Sequence, residues 1–166
     1  MDVNGFKGPN SEARNGKQYD IRSFKVAKFS KGCAGKDISG IGCVYELPSF
    51  SPIKAGSDEM DKWDPKWNSE SCTDYMGVPC RTRDNYWAGA KKACDELGMS
   101  LPDKSKLLSL AKLPTAEKEQ LVSASGYFWS SSEDDAESAD VVSVLRGYTS
   151  CFAKFYSTIR GLCVGD

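Results

Sequence analysis

The chain has 166 residues, 40% hydrophobic and 27% charged, with a net charge of -1 and no histidine. That is an ordinary globular composition for one domain, or one domain with a sizeable extension, and it is long enough to bury a real core. Without clustered Lys and Arg, nucleic acid is excluded as a partner. Without His, Ser-His-Asp and Cys-His mechanisms are excluded too.

No apolar run approaches the roughly 18 residues of a membrane span. Met1 leads directly into Asp2-Val3-Asn4-Gly5, which reads like the middle of a protein. A further N-terminal segment is therefore expected in the natural chain. Seven cysteines are present: Cys33, Cys43, Cys72, Cys80, Cys94, Cys151 and Cys163. None forms a C-x-x-C pair, which argues against zinc ribbons and thioredoxin-like motifs. The close couples Cys33/Cys43 and Cys72/Cys80 each clip a polar loop, which suits disulfides in an oxidising compartment. The location expected is extracellular or at the cell surface, with one cysteine left over.

In chain order, residues 1–20 read as loop. Residues 21–30, "IRSFKVAKFS", read as a strand, because Phe24 and Val26 alternate in a β-branched and aromatic stretch. A Gly/Cys loop follows, and then "CVYEL" (43–47) as a short strand. Residues 48–83 are irregular, with four prolines and with Trp63, Trp67 and Tyr75. So long a stretch often carries function. Asp84 or Asn85 then caps a helix with Trp87, Ala90, Cys94 and Leu97 on its inner face and Gly98 as the left-handed exit. A second helix, 103–112, is capped by Asp103, with Leu107, Leu108 and Ala111 inside. Pro114 stops it, and Thr115 caps a third. "GYFWSSS", "ADVVSVLRG", "CFAKFY" and "IRGLCV" follow as short strands between polar turns. Helices followed by a run of strands predict an α+β fold with an antiparallel sheet.

The pattern W-x-x-A-x-x-x-C-x-x-x-G-x-x-L-P (Trp87 to Pro102), then "YFWSSSE" (127–133), then "IRGLCVGD" (159–166), resembles the C-type lectin-like fold. The likeness is to its bacterial surface branch and covers residues 84–166, about half the chain. It implies that Cys94 on the helix bonds to Cys163 on the last strand. Sugar-binding members of that family hold calcium through an E-P-N or Q-P-D triplet and a W-N-D triplet. This chain has "LPD" at 101–103 and neither triplet, so calcium-dependent sugar binding is not implied. Some bacterial and phage proteins of the family carry a C-terminal stretch diversified by a retroelement. The Ser/Tyr/Thr/Asp-rich stretch 130–158 is compatible with that.

A second resemblance lies at the front. "DVNGFKGPN…YDIRSF" (2–24) is similar to the segment that follows the hydrophobic helix of type IV pilin-like and pseudopilin-like proteins. It implies assembly into a pilus-like stem through such a helix. The plainer reading is an Asx-rich turn leading into an edge strand. The functional reading adds a structural calcium held by Asp2, Asn4 and Asp20. No other cofactor is expected. The organisation that results is a pilin-like segment at 1–47, an irregular connection at 48–83 and a lectin-like domain at 84–166.

Tyr148, Phe152 and Tyr156, at spacing four among hydroxyl residues, suit an adaptable recognition surface. The alternative is a half-exposed sheet face. The ligand-binding set expected is Tyr148, Ser150, Phe152, Lys154, Tyr156 and Ser157, facing a protein or glycan ligand. Trp129 reads as core. Trp63 and Trp67 are either an exposed aromatic patch or a roof over the core. "EDDAESAD" (133–140) reads as a solvated turn rather than a cation site. The adjacent Glu133, Asp134 and Asp135 do not supply two carboxylates flanking a substrate, so no enzyme is expected. The function expected is an extracellular ligand-binding domain on a pilin-like stem. The alternative is a purely structural minor pilin subunit.

Overall fold

The helix expected to carry Cys94 shows how the sequence sets the scaffold. In the computed structural model, which describes residues 33–123 and 126–165, the side chain of Asn85 accepts from the Ala88 N–H at 2.8 Å and starts the helix Tyr86–Glu96. At its other end Gly98 takes φ +72°. The Met99 N–H then reaches the Cys94 carbonyl at 2.9 Å, and the Gly98 N–H reaches that of Asp95. This is a Schellman closure, and glycine supplies the left-handed residue it requires. Leu97, expected inside, is 50% exposed. The helix stops at Glu96, so Leu97 leaves the apolar stripe and Met99 packs inward instead.

The chain divides into two compact units, Met1–Ala34 and Gly35–Asp166. The described part of the second has the strands β1 (Lys36–Ile38) and β2 (Gly42–Glu46), and then the helices α1 (Met60–Trp63), α2 (Tyr86–Glu96), α3 (Lys104–Ala111) and α4 (Thr115–Leu121). It continues with β3 (Tyr127–Glu133), β4 (Ser138–Ser143), β5 (Tyr148–Ala153) and β6 (Leu162–Gly165). Short 3-10 turns at Pro65–Asn68 and Cys80–Thr82 punctuate the irregular stretch. The class is α+β, with short helices and two antiparallel three-stranded sheets, ordered β1-β2-β6 and β3-β4-β5. The strand expected at 21–30 lies outside the described residues.

In α3 the Asp103 carboxylate accepts from the Lys106 N–H at 2.8 Å, as a cap should. Its buried residues are Leu107 and Leu110, while Leu108 and Ala111 are only partly covered. Thr115 is the first residue inside α4 rather than its cap; Pro114 occupies the cap position and no side chain bonds there.

Period-two alternation divides the core. Phe128 and Val142 pair across β3 and β4 and join Val44, Leu107, Leu110 and Leu162 on one side. The neighbouring pair Trp129 and Val141 faces the other way and joins Trp87, Ala90, Cys94 and Cys163. A third cluster, with Ile53, Met60, Trp67 and Ala88, lies under the proline-rich stretch. Trp67 is fully buried and its Nε1–H donates to the Arg83 carbonyl at 3.0 Å. It therefore roofs the core.

β2 pairs with β6 in the register Val44↔Val164 and Tyr45↔Cys163, so early and late strands of this unit are neighbours. Cys94 of α2 is bonded to Cys163 of β6, with 5.4 Å between Cα atoms. Cys72 is bonded to Cys80, and Cys33 and Cys43 are disulfide-bonded as well. Cys151 is the free cysteine, and it is exposed. Among the described residues, no helix is long and apolar enough to cross a membrane.

Candidate functional site

β5 lies at the edge of its sheet. Its even-numbered residues share a face with β4, where Ser150 opposes Val141 and Phe152 opposes Ala139. Both β4 partners are fully buried. That face is consequently half covered: Ser150, Phe152 and Tyr156 are partly buried, and only Tyr148, at 59% exposure, and Ser157 stand clear. The rings form a chain of edge and tilted contacts. Tyr127 lies 5.5 Å from Phe152, Phe152 lies 5.2 Å from Tyr156, and Tyr156 lies 5.3 Å from Phe155.

The chain of contacts continues through Arg83, whose guanidinium sits 4.3 Å over the Phe155 ring. Arg83 also pairs with the buried Asp74 carboxylate at 2.8 Å. Asp74 accepts from the Met76 and Val78 N–H groups at 2.8 and 2.9 Å. Burial pushes the Asp74 carboxyl up, but these hydrogen bonds and the Arg83 charge outweigh it, and it lies below its ordinary value. The result is a rigid turn, clipped by Cys72–Cys80, that holds Tyr75 and Met76 out at 78% and 63% exposure. Next to the ring series, Thr82, Arg83, Asp84, Tyr86, Phe155 and Ser157 line a shallow open cleft of about 400 Å³.

Lys154 departs from expectation. Its placement on the recognition surface is wrong: it is fully buried. β5 ends at Ala153, and the next residue turns inward. The Lys154 carbonyl accepts from the Tyr86 N–H at 2.7 Å at the start of α2. Its Nζ donates to Asp64 Oδ2 at 3.0 Å, to Glu133 Oε2 at 2.6 Å and to the Ala136 carbonyl at 3.0 Å, and it lies 4.2 Å from the Trp87 ring. All three ammonium donors are thus used. Asp64 also accepts from Asn85 Nδ2 at 2.8 Å, and Glu133 pairs with Lys66 at 3.1 Å. Burial raises the Glu133 carboxyl; the hydrogen bonds and charges of Lys154 and Lys66 more than offset that, so the net shift is downward. Lys91 lies 4.1 Å from the Trp87 ring and donates to the Trp63 carbonyl, and burial lowers its pKa.

The burial of Lys154 was not legible in the sequence because its partners are 90 and 21 residues away. The only local hint was a lysine among aromatic residues at a strand end.

Within the acidic run 133–140, residues 134–137 form a structured turn between β3, which ends at Glu133, and β4, which starts at Ser138. Asp135 accepts from the Glu137 and Ser138 N–H groups at 2.9 and 2.8 Å. Among the described residues no group of acidic or cysteine side chains is arranged to hold a metal. Asp2, Asn4 and Asp20, expected as calcium ligands, lie outside the described residues. Burial, together with the charges of Asp134, Asp140 and Asp135, raises the Cys151 thiol above its ordinary value. That makes it a poor nucleophile at neutral pH. No protein-family model matches this sequence, and no curated protein matches it either.

Proposed function

We infer that the chain is an extracellular ligand-binding domain of C-type lectin-like fold, carried on a pilin-like stem and without enzymatic activity. The observation that carries this reading is the surface running from the Tyr75 turn through Arg83, Phe155 and Tyr156 to Phe152, on the edge strand that starts at the exposed Tyr148, with the cleft at Tyr86 and Ser157 beside it. Aromatic faces with few rotatable bonds, hydroxyls at their edge and a rigid backing suit recognition of a glycan or a protein. Three features support the lectin-like fold: the helix-to-last-strand disulfide, the pairing of β2 with β6, and the small second sheet. Three disulfides suit an oxidising, extracellular setting. The stem rests on the resemblance at residues 2–24 alone.

The test is a glycan and protein array probed with labelled parent and with Tyr148→Ala/Ser157→Ala, both exposed positions. The reading expects array signal from the parent and a loss of about 30-fold or more in the variant, since a contact residue of this kind carries about 2 kcal/mol. Equal binding by both, at unchanged melting temperature, would remove this surface. No signal on any array feature would favour a subunit that only assembles.

A further inference from the structure

The geometry around Lys154 places a buried amine in contact with a buried carboxyl group and with a second, partly exposed carboxylate. Lys154 and Asp64 are 0% and 2% exposed, and Nζ is 3.0 Å from Asp64 Oδ2. Glu133 Oε2 touches the same Nζ at 2.6 Å, and the Trp87 ring walls the group at 4.2 Å. The ligand-binding reading does not use this cluster. We propose that it is an autocatalytic cross-linking site, forming an amide between Lys154 Nζ and Asp64 Cγ with Glu133 as the proton shuttle.

The step balances without a co-reactant. The Lys154 ammonium passes one proton to the Asp64 carboxylate, which gives a free amine and a carboxylic acid. The nitrogen lone pair attacks Asp64 Cγ, forming the N–C bond. Glu133 accepts the second nitrogen proton and returns it to the departing hydroxyl, so the Cγ–O bond breaks and water leaves. The positive and negative charges of the pair cancel, and Glu133 ends as it began.

Three features favour the reaction here. Holding amine and acid in contact gives effective concentrations of about 10⁵ M or more. Two opposite charges are held out of water, where each is costly, and the amide removes both. Lys154 and Asp64 themselves are shielded from solvent, which protects the amide once formed from hydrolysis. Glu133 is placed for the shuttle because Lys66 holds its other oxygen at 3.1 Å. The bond would join α1 to the end of β5, beside the Cys94–Cys163 tie between α2 and β6.

The test is the intact mass of the purified full chain after complete reduction, followed by a proteolytic map. The expected mass is one water, about 18 Da, below that of the sequence, with a branched peptide joining the segments that hold Lys154 and Asp64. Glu133→Gln, with near-ultraviolet dichroism showing a retained fold, is expected at its full sequence mass. A parent at full sequence mass, or a water loss that maps to any other pair, overturns the proposal. A Glu133→Gln protein linked as completely as the parent overturns the assignment of Glu133.

Discussion

Gly89 is where a general rule and this structure point in opposite directions. In a helix interior, exchanging glycine for alanine gains about 1 kcal/mol of propensity. Gly89 is buried in α2, and a Cβ there would stand 2.2 Å from the Ser51 carbonyl oxygen and 2.8 Å from the Pro52 Cα. Both obstacles are backbone, so neither swings aside. Gly89→Ala is expected to destabilise by about 1–3 kcal/mol, the range for overpacking, read as a lower denaturant midpoint at unchanged slope.

Three carboxyls set the acid limit. Asp74, Asp135 and Glu133 are all held below their ordinary values in the folded chain, because hydrogen bonds and positive charges outweigh burial. A depressed folded pKa contributes stability that is full above the unfolded value, about 3.9, and is lost as pH falls through the folded one. Glu137 is raised, by burial and then by Asp135 and Asp74, and acts in the opposite direction. With three against one, stability is expected to drop as pH goes from about 5 to below 4. Denaturation midpoints across that range would check it, and a midpoint that rises toward acid would contradict it.

At the scale of elements, the sequence was legible where chemistry is local. Asn85, Asp103 and Gly98 announced their helix ends because caps and left-handed exits act within four residues. The C-terminal strands were readable from alternation. Lys154 was not, since burial of a charged residue depends on partners distant in sequence, and alternation alone does not say which face of an edge strand is covered. Leu97 and Thr115 missed by a single residue of helix boundary, which the pattern does not resolve.

The disulfides operate at this scale too. Cys94–Cys163 closes a separation of 69 residues and Cys72–Cys80 one of 8. In the chain-entropy account, replacing each pair with serine costs about 4 and about 2.5 kcal/mol. The long-range tie is thus expected to be the more damaging loss in urea titrations, and the reverse order would count against that account. β5 makes a second prediction. The Lys154 N–H bonds to the Glu137 carbonyl, so antiparallel parity turns the N–H groups of Thr149 and Cys151 away from β4. These two amides are expected to exchange with solvent far faster than those of Val141 and Val142.

At the largest scale described, the unit Gly35–Asp166 is a scaffold braced from inside. The helix-to-last-strand bond, the buried Lys154 cluster and the β2–β6 pairing hold the C-terminal unit together. Its exposed parts include the edge strand, the Tyr75 turn and the cleft at Ser157. The fold class was readable from the order of helices and strands. The surface we propose for recognition was readable only in part, because it joins the turn at 74–78 to Phe155 through Arg83, a contact that no spacing rule reveals.

The measurement that tests the account most directly is an amide chemical-shift titration of the labelled chain with a ligand from the array. The account predicts shifts confined to Tyr75–Met76, Thr82–Tyr86 and Tyr148–Ser157. Shifts centred on β1, α3 or α4, with these residues silent, would contradict it.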